Sequence, residues 1–151
     1  MAMPQSAPRF SVVMPLYNKA AHVCAAIESA LSQVFPPHEI VVIDNRSTDD
    51  GRERVAAMAD ERVRLLDLPT PGPGGYAGRN MGIHAASGDW IAFLDADDLW
   101  QPDHLAVLAE SIKADPSVRA AATRFDHVFE DRVQLQRIAP GFVEERPDPA
   151  G

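Results

Sequence analysis

No apolar run in this 151-residue chain approaches the roughly 18 residues needed to cross a bilayer. The amino terminus, M-A-M-P-Q-S-A-P-R-F, has no charged region followed by an apolar stretch, so it does not read as a signal peptide. Cysteine is nearly missing: Cys24 stands alone, cannot close a disulfide within the chain, and sits in a helical pattern that suits a buried thiol. A reducing, cytoplasmic setting is the expectation. Basic clusters are missing too, and the net charge of −8 argues against nucleic acid or an anionic membrane as partner. Five histidines (His22, His38, His84, His104, His127) share no paired ligand spacing, so no zinc site is expected. No G-x-x-x-x-G-K-[ST] loop occurs, which excludes a P-loop nucleotidase.

What is present suits one domain, large enough to bury roughly two-thirds of its unfolded surface. Residues 1–8 are Pro-rich and read as a loose tail. F-S-V-V-M, Phe10 to Met14, reads as a buried strand stopped by Pro15. A helix of about four turns follows, with Val23, Ile27, Ala30, Leu31 and Val34 on one face, ended by Pro36 and Pro37. Ile40 to Ile43 is a second buried strand, ending at Asp44. Ser47 and Asp50 have the spacing of a helix N-cap pair, opening a short helix with Val55, Ala56 and Met58. Arg62 to Leu68 reads as a third strand, and T-P-G-P-G-G-Y-A-G as a loop. A helix over Arg79 to Ala86 carries Met81, Ile83 and Ala85 or Ala86, and Gly88 ends it. Trp90 to Leu94 is apolar without alternation, the pattern of a strand buried on both faces. Pro102 fits the first turn of a last helix with Leu105, Leu108 and Ile112, which Asp115-Pro116 ends. Val118 to Phe129 is a weaker fifth strand that could start a hairpin, and the final E-E-R-P-D-P-A-G reads as disordered.

This β-α alternation predicts a mainly parallel, Rossmann-like sheet in a three-layer α-β-α arrangement. The expected domain spans residues 9–129, with a tail over 130–151. Ligands of such sheets bind outside the carboxyl ends of the strands. Four strand ends then share one rim: Pro15-Leu16-Tyr17-Asn18, Asp44-Asn45, the Gly-rich loop 72–78, and Asp95-Ala96-Asp97-Asp98. Clustered carboxylates repel one another where solvation is poor, and a divalent cation resolves the conflict. Mg²⁺ and Mn²⁺ use one or two protein carboxylates and fill the rest of their sphere with water and phosphate oxygens. Asp95 and Asp97, two apart at a strand end, can supply them. Asp98 has a second reading as the acid at a helix start. Asp44 and Asn45 suit either turn chemistry or a grip on a base edge or ribose. Tyr17 suits either stacking at the rim or covering the core, and Arg79 taken alone reads as a solvated helix charge. L-D-A-D-D-L also has the D-x-D start of haloacid-dehalogenase-type phosphatases, but Leu99 stands where those usually carry Thr or Val.

Taken together, S-V-V-M-P-L-Y-N-K, A-L-S-Q, E-I-V-V-I-D-N-R-S-T-D-D-G, G-R-N-M-G-I-H-A-A-S-G-D-W-I-A-F-L-D-A-D-D and W-Q-P-D-H-L resemble a family 2 glycosyltransferase of the GT-A fold. The resemblance covers about residues 9–110. It implies an inverting transfer of a sugar from a nucleoside-diphosphate sugar donor to a glycan, lipid or protein acceptor, assisted by Mn²⁺ or Mg²⁺. It places Pro15 and Tyr17 beside the base, and Asp44-Asn45 at the pair, commonly Asp-Asp, that recognises it. Arg79 would line the nucleotide pocket, and Asp95 and Asp97 would match the D-x-D motif holding ribose and the metal. The base that deprotonates the acceptor is expected further along the chain. Glu130-Asp131 and Glu144-Glu145 are the acidic pairs there, and both read as solvated charges. The chain therefore reads as a truncated GT-A domain: either part of an enzyme, completed through more chain or an oligomer, or a nucleotide-sugar-binding module without turnover.

Overall fold

A computed structural model describes residues 7–123 together with the backbone of 126–129 and 132–135. The chain divides into two units, residues 1–119 and 120–151. In the second, the described residues form an antiparallel hairpin of β5 (Asp126–Phe129) and β6 (Arg132–Leu135), with Val128 opposite Val133. Both acidic pairs of the carboxyl-terminal region lie outside the described residues.

The first unit holds a four-stranded sheet, β1 (Phe10–Leu16), β2 (Glu39–Asp44), β3 (Val63–Asp67) and β4 (Trp90–Phe93), in the order β3-β2-β1-β4 with every pair parallel. Helices α1 (Val23–Leu31), α2 (Gly51–Ala56), α3 (Tyr76–Ala85) and α4 (His104–Ala114) connect and follow the strands. Because side chains alternate across a strand, β1 and β2 feed two cores. Val12, Met14, Leu16, Ile40 and Val42 meet Val23, Ala26, Ile27 and Ala30 of α1 and Val55 of α2. On the same side, Phe10 and Ala92 meet Leu105 and Ala109 of α4. Val41, Ile43 and Leu68 face the other way, onto Ala77, Met81 and Ala85 of α3. This is the expected three-layer α/β arrangement.

Several boundaries differ from the sequence reading, each for a local reason. Pro15 does not stop β1; it pairs in register with Ile43. Val13 O accepts from Leu94 N–H and Leu16 O from Asn45 N–H, so the missing N–H of Pro15 falls on the β4 side, where pairing has already ended. Helix α1 has nine residues rather than four turns. The buried Gln33 side chain donates to Gln101 O and accepts from Leu105 N–H, and Val34 N–H bonds Pro102 O. These long-range bonds capture the chain ahead of Pro36, and Val34 is exposed. The Ser47–Asp50 cap does not form: Ser47 Oγ donates to Asp44, and the first N–H of α2 goes to Asp49 Oδ1. Asp98 does not start a helix either, since α4 begins at His104 with Asp103 at the N-cap position. Strand β4 lies at an edge of the described sheet, with Phe93 exposed, so it is not buried on both faces.

The glycine-rich segment departs most. Only its first half is irregular; a single 3-10 turn over Pro73–Gly75 leads into α3 at Tyr76. Gly75 has φ +72°, the left-handed turn that redirects the chain. Helix α3 then approaches β1 through glycine rather than through Ile83, which is partly exposed. A Cβ on Gly82 would stand 2.3 Å from Val13 Cγ1.

At the opposite end of the sheet, buried Glu39 accepts from Ser11 Oγ (2.7 Å), Ser87 N–H (2.6 Å), Ser87 Oγ (2.8 Å) and Arg64 (2.6 Å). Burial alone would raise its pKa; the four donors outweigh that and lower it from 4.5 to about 2.

Two stability predictions follow from these contacts. A folded-state pKa below the unfolded one stabilises above about 4.5, and the gain is lost as pH falls toward about 2. Urea titrations of Glu39→Gln should show a loss of ~2–3 kcal/mol at pH 7 and a flatter acid limb; an unchanged acid limb would show that Glu39 carries no such linkage. Gly82→Ala should cost ~1–3 kcal/mol by overpacking, seen as a lowered denaturation midpoint.

Candidate functional site

Strand order places the chain reversal between β1 and β4: successive strands add on one side of β1 up to β3, and β4 returns to the other. Such a switch point splays the flanking loops and opens a crevice at the carboxyl ends. A groove of about 550 Å³ lies at that rim, lined from β1 by Pro15, Leu16, Tyr17 and Lys19 and from β4 by Asp95, Ala96 and Asp97. Asn45, the Pro71–Pro73 segment, Gly75, Gly78 and Arg79 complete it. All four strand ends singled out from the sequence thus contribute to one cavity.

The chain sets each side chain by burying its neighbours. Leu94 and Ala96 are each 2% exposed in the core, which turns Asp95 and Asp97 together toward the groove. Asp95 receives Arg79 from α3 across a short ion pair. A Cβ on Gly75, whose φ is +72°, would stand 3.0 Å from Arg79 Nη1, so glycine there leaves room for the guanidinium. Asp97 receives Lys19 Nζ at 2.6 Å. The Lys19 ammonium pulls the Asp97 carboxyl below its ordinary pKa, and Asp97 raises that of Lys19. Two acids of the groove are thus each paired with a cation.

The loop carrying Lys19 is itself fixed. Asn18 has a left-handed backbone (φ 51°), and its Oδ1 accepts from Thr48 N–H at 2.7 Å, while Ser47 Oγ accepts from Asn18 N–H. Asp49 accepts from Ala20 N–H at 2.9 Å, and this holds its carboxyl below the ordinary range. The loops after β1 and β2 are thereby stitched into one platform.

Of the residues expected here, Pro15, Tyr17, Asn45, Arg79, Asp95 and Asp97 line the groove. Asp44 does not. It is 3% exposed, and its carboxylate accepts from Ser47 N–H and Oγ, the turn chemistry that had been one of its two readings. Lys19, within S-V-V-M-P-L-Y-N-K, is a groove residue that the motifs leave without a role; its place one residue past Asn18, on the same rim as the acids, is the signal in the sequence. Among the described residues no three His, Cys, Asp or Glu side chains could together hold a metal ion. Asp95 and Asp97 fit a different arrangement, in which one or two carboxylates share the ion with water and ligand phosphate oxygens, the habit of Mg²⁺ and Mn²⁺.

Comparison with known proteins finds a match to the family model described as glycosyl transferase family 2 over residues 11–148. The succinoglycan biosynthesis protein ExoO of Rhizobium meliloti is 46% identical over 141 residues, covering 93% of this chain and 40% of that protein. Staphylococcus aureus TarS, solved in complex with UDP-GlcNAc, superposes with a TM-score of 0.65 at 29% identity, covering 70% of this chain and 31% of that one. The mannosyltransferase PcManGT from Pyrobaculum calidifontis, solved with GDP-Man and Mn2+, gives a TM-score of 0.65 at 30% identity, covering 76% and 35%. The chain therefore spans well under half the length of each.

The Lys19–Asp97 pair makes a titration prediction. In the chain without added ions, the Asp97 carboxyl should titrate below the ordinary carboxylate range, and Lys19→Met should move it upward, read by NMR of the side-chain carboxyl. An unmoved value would show that Lys19 does not set the charge of Asp97.

Proposed function

The chain belongs to glycosyl transferase family 2, and from that premise we propose that it binds a nucleoside-diphosphate sugar in the rim groove and transfers the sugar with inversion at the anomeric carbon. The observation that carries this reading is the convergence of four strand ends on one groove, with Asp95 and Asp97 on its wall and Arg79 and Lys19 beside them. The GT-A likeness to proteins solved with UDP-GlcNAc or GDP-Man supports it.

Each side chain then has a task. Pro15 and the half-exposed Tyr17 border the base. Asn45 sits at the base end, and Asp44 shapes that end through the turn it anchors. Arg79 lines the nucleotide pocket, and Asp95 takes the ribose or a share of the metal. Asp97 is the main carboxylate for Mn²⁺ or Mg²⁺, with Asp95 as its partner. When bound, that ion supplies Lewis-acid compensation for charge gathering on the departing diphosphate. Lys19 and Arg79 can exchange their carboxylate partners for diphosphate oxygens, so the groove keeps its charge balance as an anionic ligand enters. Pro15, Leu16 and Ala96 make the floor apolar, which strengthens these interactions.

In the transfer, a bond forms between the acceptor oxygen and the anomeric carbon as the bond from that carbon to the diphosphate breaks. The electron pair leaves with the diphosphate, and a carboxylate base takes the acceptor proton. The residues proposed here serve the donor side of that step. The acceptor is a glycan, lipid or protein hydroxyl, and an oligomer could complete its site. A second reading is a donor-binding module without turnover by itself, since the residues assigned here all serve the donor. Among the described residues no helix is long and apolar enough to cross a membrane, and the single free thiol fits a cytoplasmic site of action.

Calorimetry of UDP, GDP and dTDP with and without Mn²⁺ tests both readings. Binding of at least one nucleotide should strengthen with Mn²⁺, and Asp97→Asn should weaken the metal-dependent part at least ~tenfold, about 1.4 kcal/mol. Affinity that ignores both the ion and the substitution would sink the metal assignment. Sugar release in the presence of acceptor candidates separates enzyme from module.

A further inference from the structure

We propose that Asn45 is a positioning residue: it pre-forms the Gly-rich wall of the groove by pairing with both polar backbone atoms of Gly72, and it does so alike for every nucleobase. The second half of this rests on the groove being the nucleoside-diphosphate site proposed above.

Asn45 follows directly from β2, and its own N–H is bonded to Leu16 O at 2.8 Å, so its backbone is tied to the β1 tip. Its side-chain amide then spans the groove's base end. Nδ2 donates to Gly72 O at 2.7 Å, and Oδ1 accepts from Gly72 N–H at 3.1 Å. The two bonds fix the orientation of the amide, because a flip would set donor against donor and acceptor against acceptor. A single side chain thus reproduces the paired contact that a neighbouring strand would make with an extended residue, and Gly72 is extended (φ −136°, ψ 153°).

The wall has few other ways to be held. In the run Pro69-Thr70-Pro71-Gly72-Pro73, three of five residues have no N–H. Gly72 carries one of the two N–H groups left, and Asn45 takes it. Pro71, Gly72 and Pro73 all line the groove, and a Cβ on Gly72 would stand 2.9 Å from Ala77 Cβ at the start of α3. Movement of Gly72 would therefore disturb the helix that delivers Arg79. Because the amide spends one donor and its acceptor on the peptide of Gly72, its loss should be felt by the pocket as a whole rather than by one base.

An ionised carboxylate at this position can accept from Gly72 N–H but cannot donate to Gly72 O, whereas a protonated carboxyl can do both. This gives a test that loss of bulk stability would not mimic. In the full chain, N45A should speed amide hydrogen exchange of the 69–78 segment roughly tenfold while leaving exchange in the β1 and β2 interior unchanged. N45D should show the same defect at pH 7 and recover protection, relative to wild type at the same pH, as the pH falls to about 4. With Mn²⁺ present, N45A should weaken UDP, GDP and dTDP by one common factor of roughly tenfold. Unchanged exchange at Gly72 in N45A, or an N45D defect that ignores pH, overturns the pinning role. A loss confined to one nucleotide overturns its indifference to base. If wild type binds none of the three, the nucleotide reading falls and takes base indifference with it, while exchange alone still decides whether Asn45 pins the wall.

Discussion

Two carboxylates on one wall of a crevice repel one another, and each needs a cation beside it to offset that repulsion. Much of this molecule's architecture serves that requirement. Arg79 reaches Asp95 from α3, and α3 lies where it does because Gly82 lets the helix press against Val13. Lys19 reaches Asp97 from a loop whose neighbours, Asn18 and Ala20, are fastened to the loop after β2. The ion pairs are not large sources of stability, since all four side chains keep substantial exposure. Their importance, under the function proposed above, is that an anionic, metal-bearing ligand can replace each partner without leaving a bare charge.

The two ends of the sheet handle charge differently. At the amino ends, Glu39 is sealed in, fed by donors from β1, β3 and the loop before β4, and kept ionised far into acid. That carboxylate joins three elements and does not line the groove. At the carboxyl ends, Asp95 and Asp97 are left open to a groove. The same residue chemistry acts as mortar at one end and lines an open groove at the other; the difference lies in solvent access.

The fold was largely legible because its strands are short apolar runs separated by helical periodicity, and this alternation admits few topologies. The convergence of Pro15, Tyr17, Asn45, Asp95 and Asp97 followed from parallel strands alone, whereas Arg79 entered only through the family resemblance. Other features depended on partners distant in sequence. Helix α1 ends early because Gln33 bonds residues 101 and 105, and no local pattern encodes that. Tyr76-Ala77-Gly78 looked like loop because glycine is a poor helix former, yet these residues open α3, whose Gly82 comes closer to Val13 than any side chain would allow. Asp44 suited turn chemistry or a ligand grip equally from its position, and its burial under Ser47 depends on how the turn closes.

The proline in β1 has a consequence for the shape of the rim. A strand end normally offers its neighbour a ladder of donors and acceptors, and sheets tend to zip to their full length. Pro15 removes the donor on the side facing β4 just where that pairing ceases. The gap between the two strand tips is thus enforced by covalent structure, and side-chain repacking cannot sew it shut. Whatever occupies the crevice meets an opening that exists before it arrives.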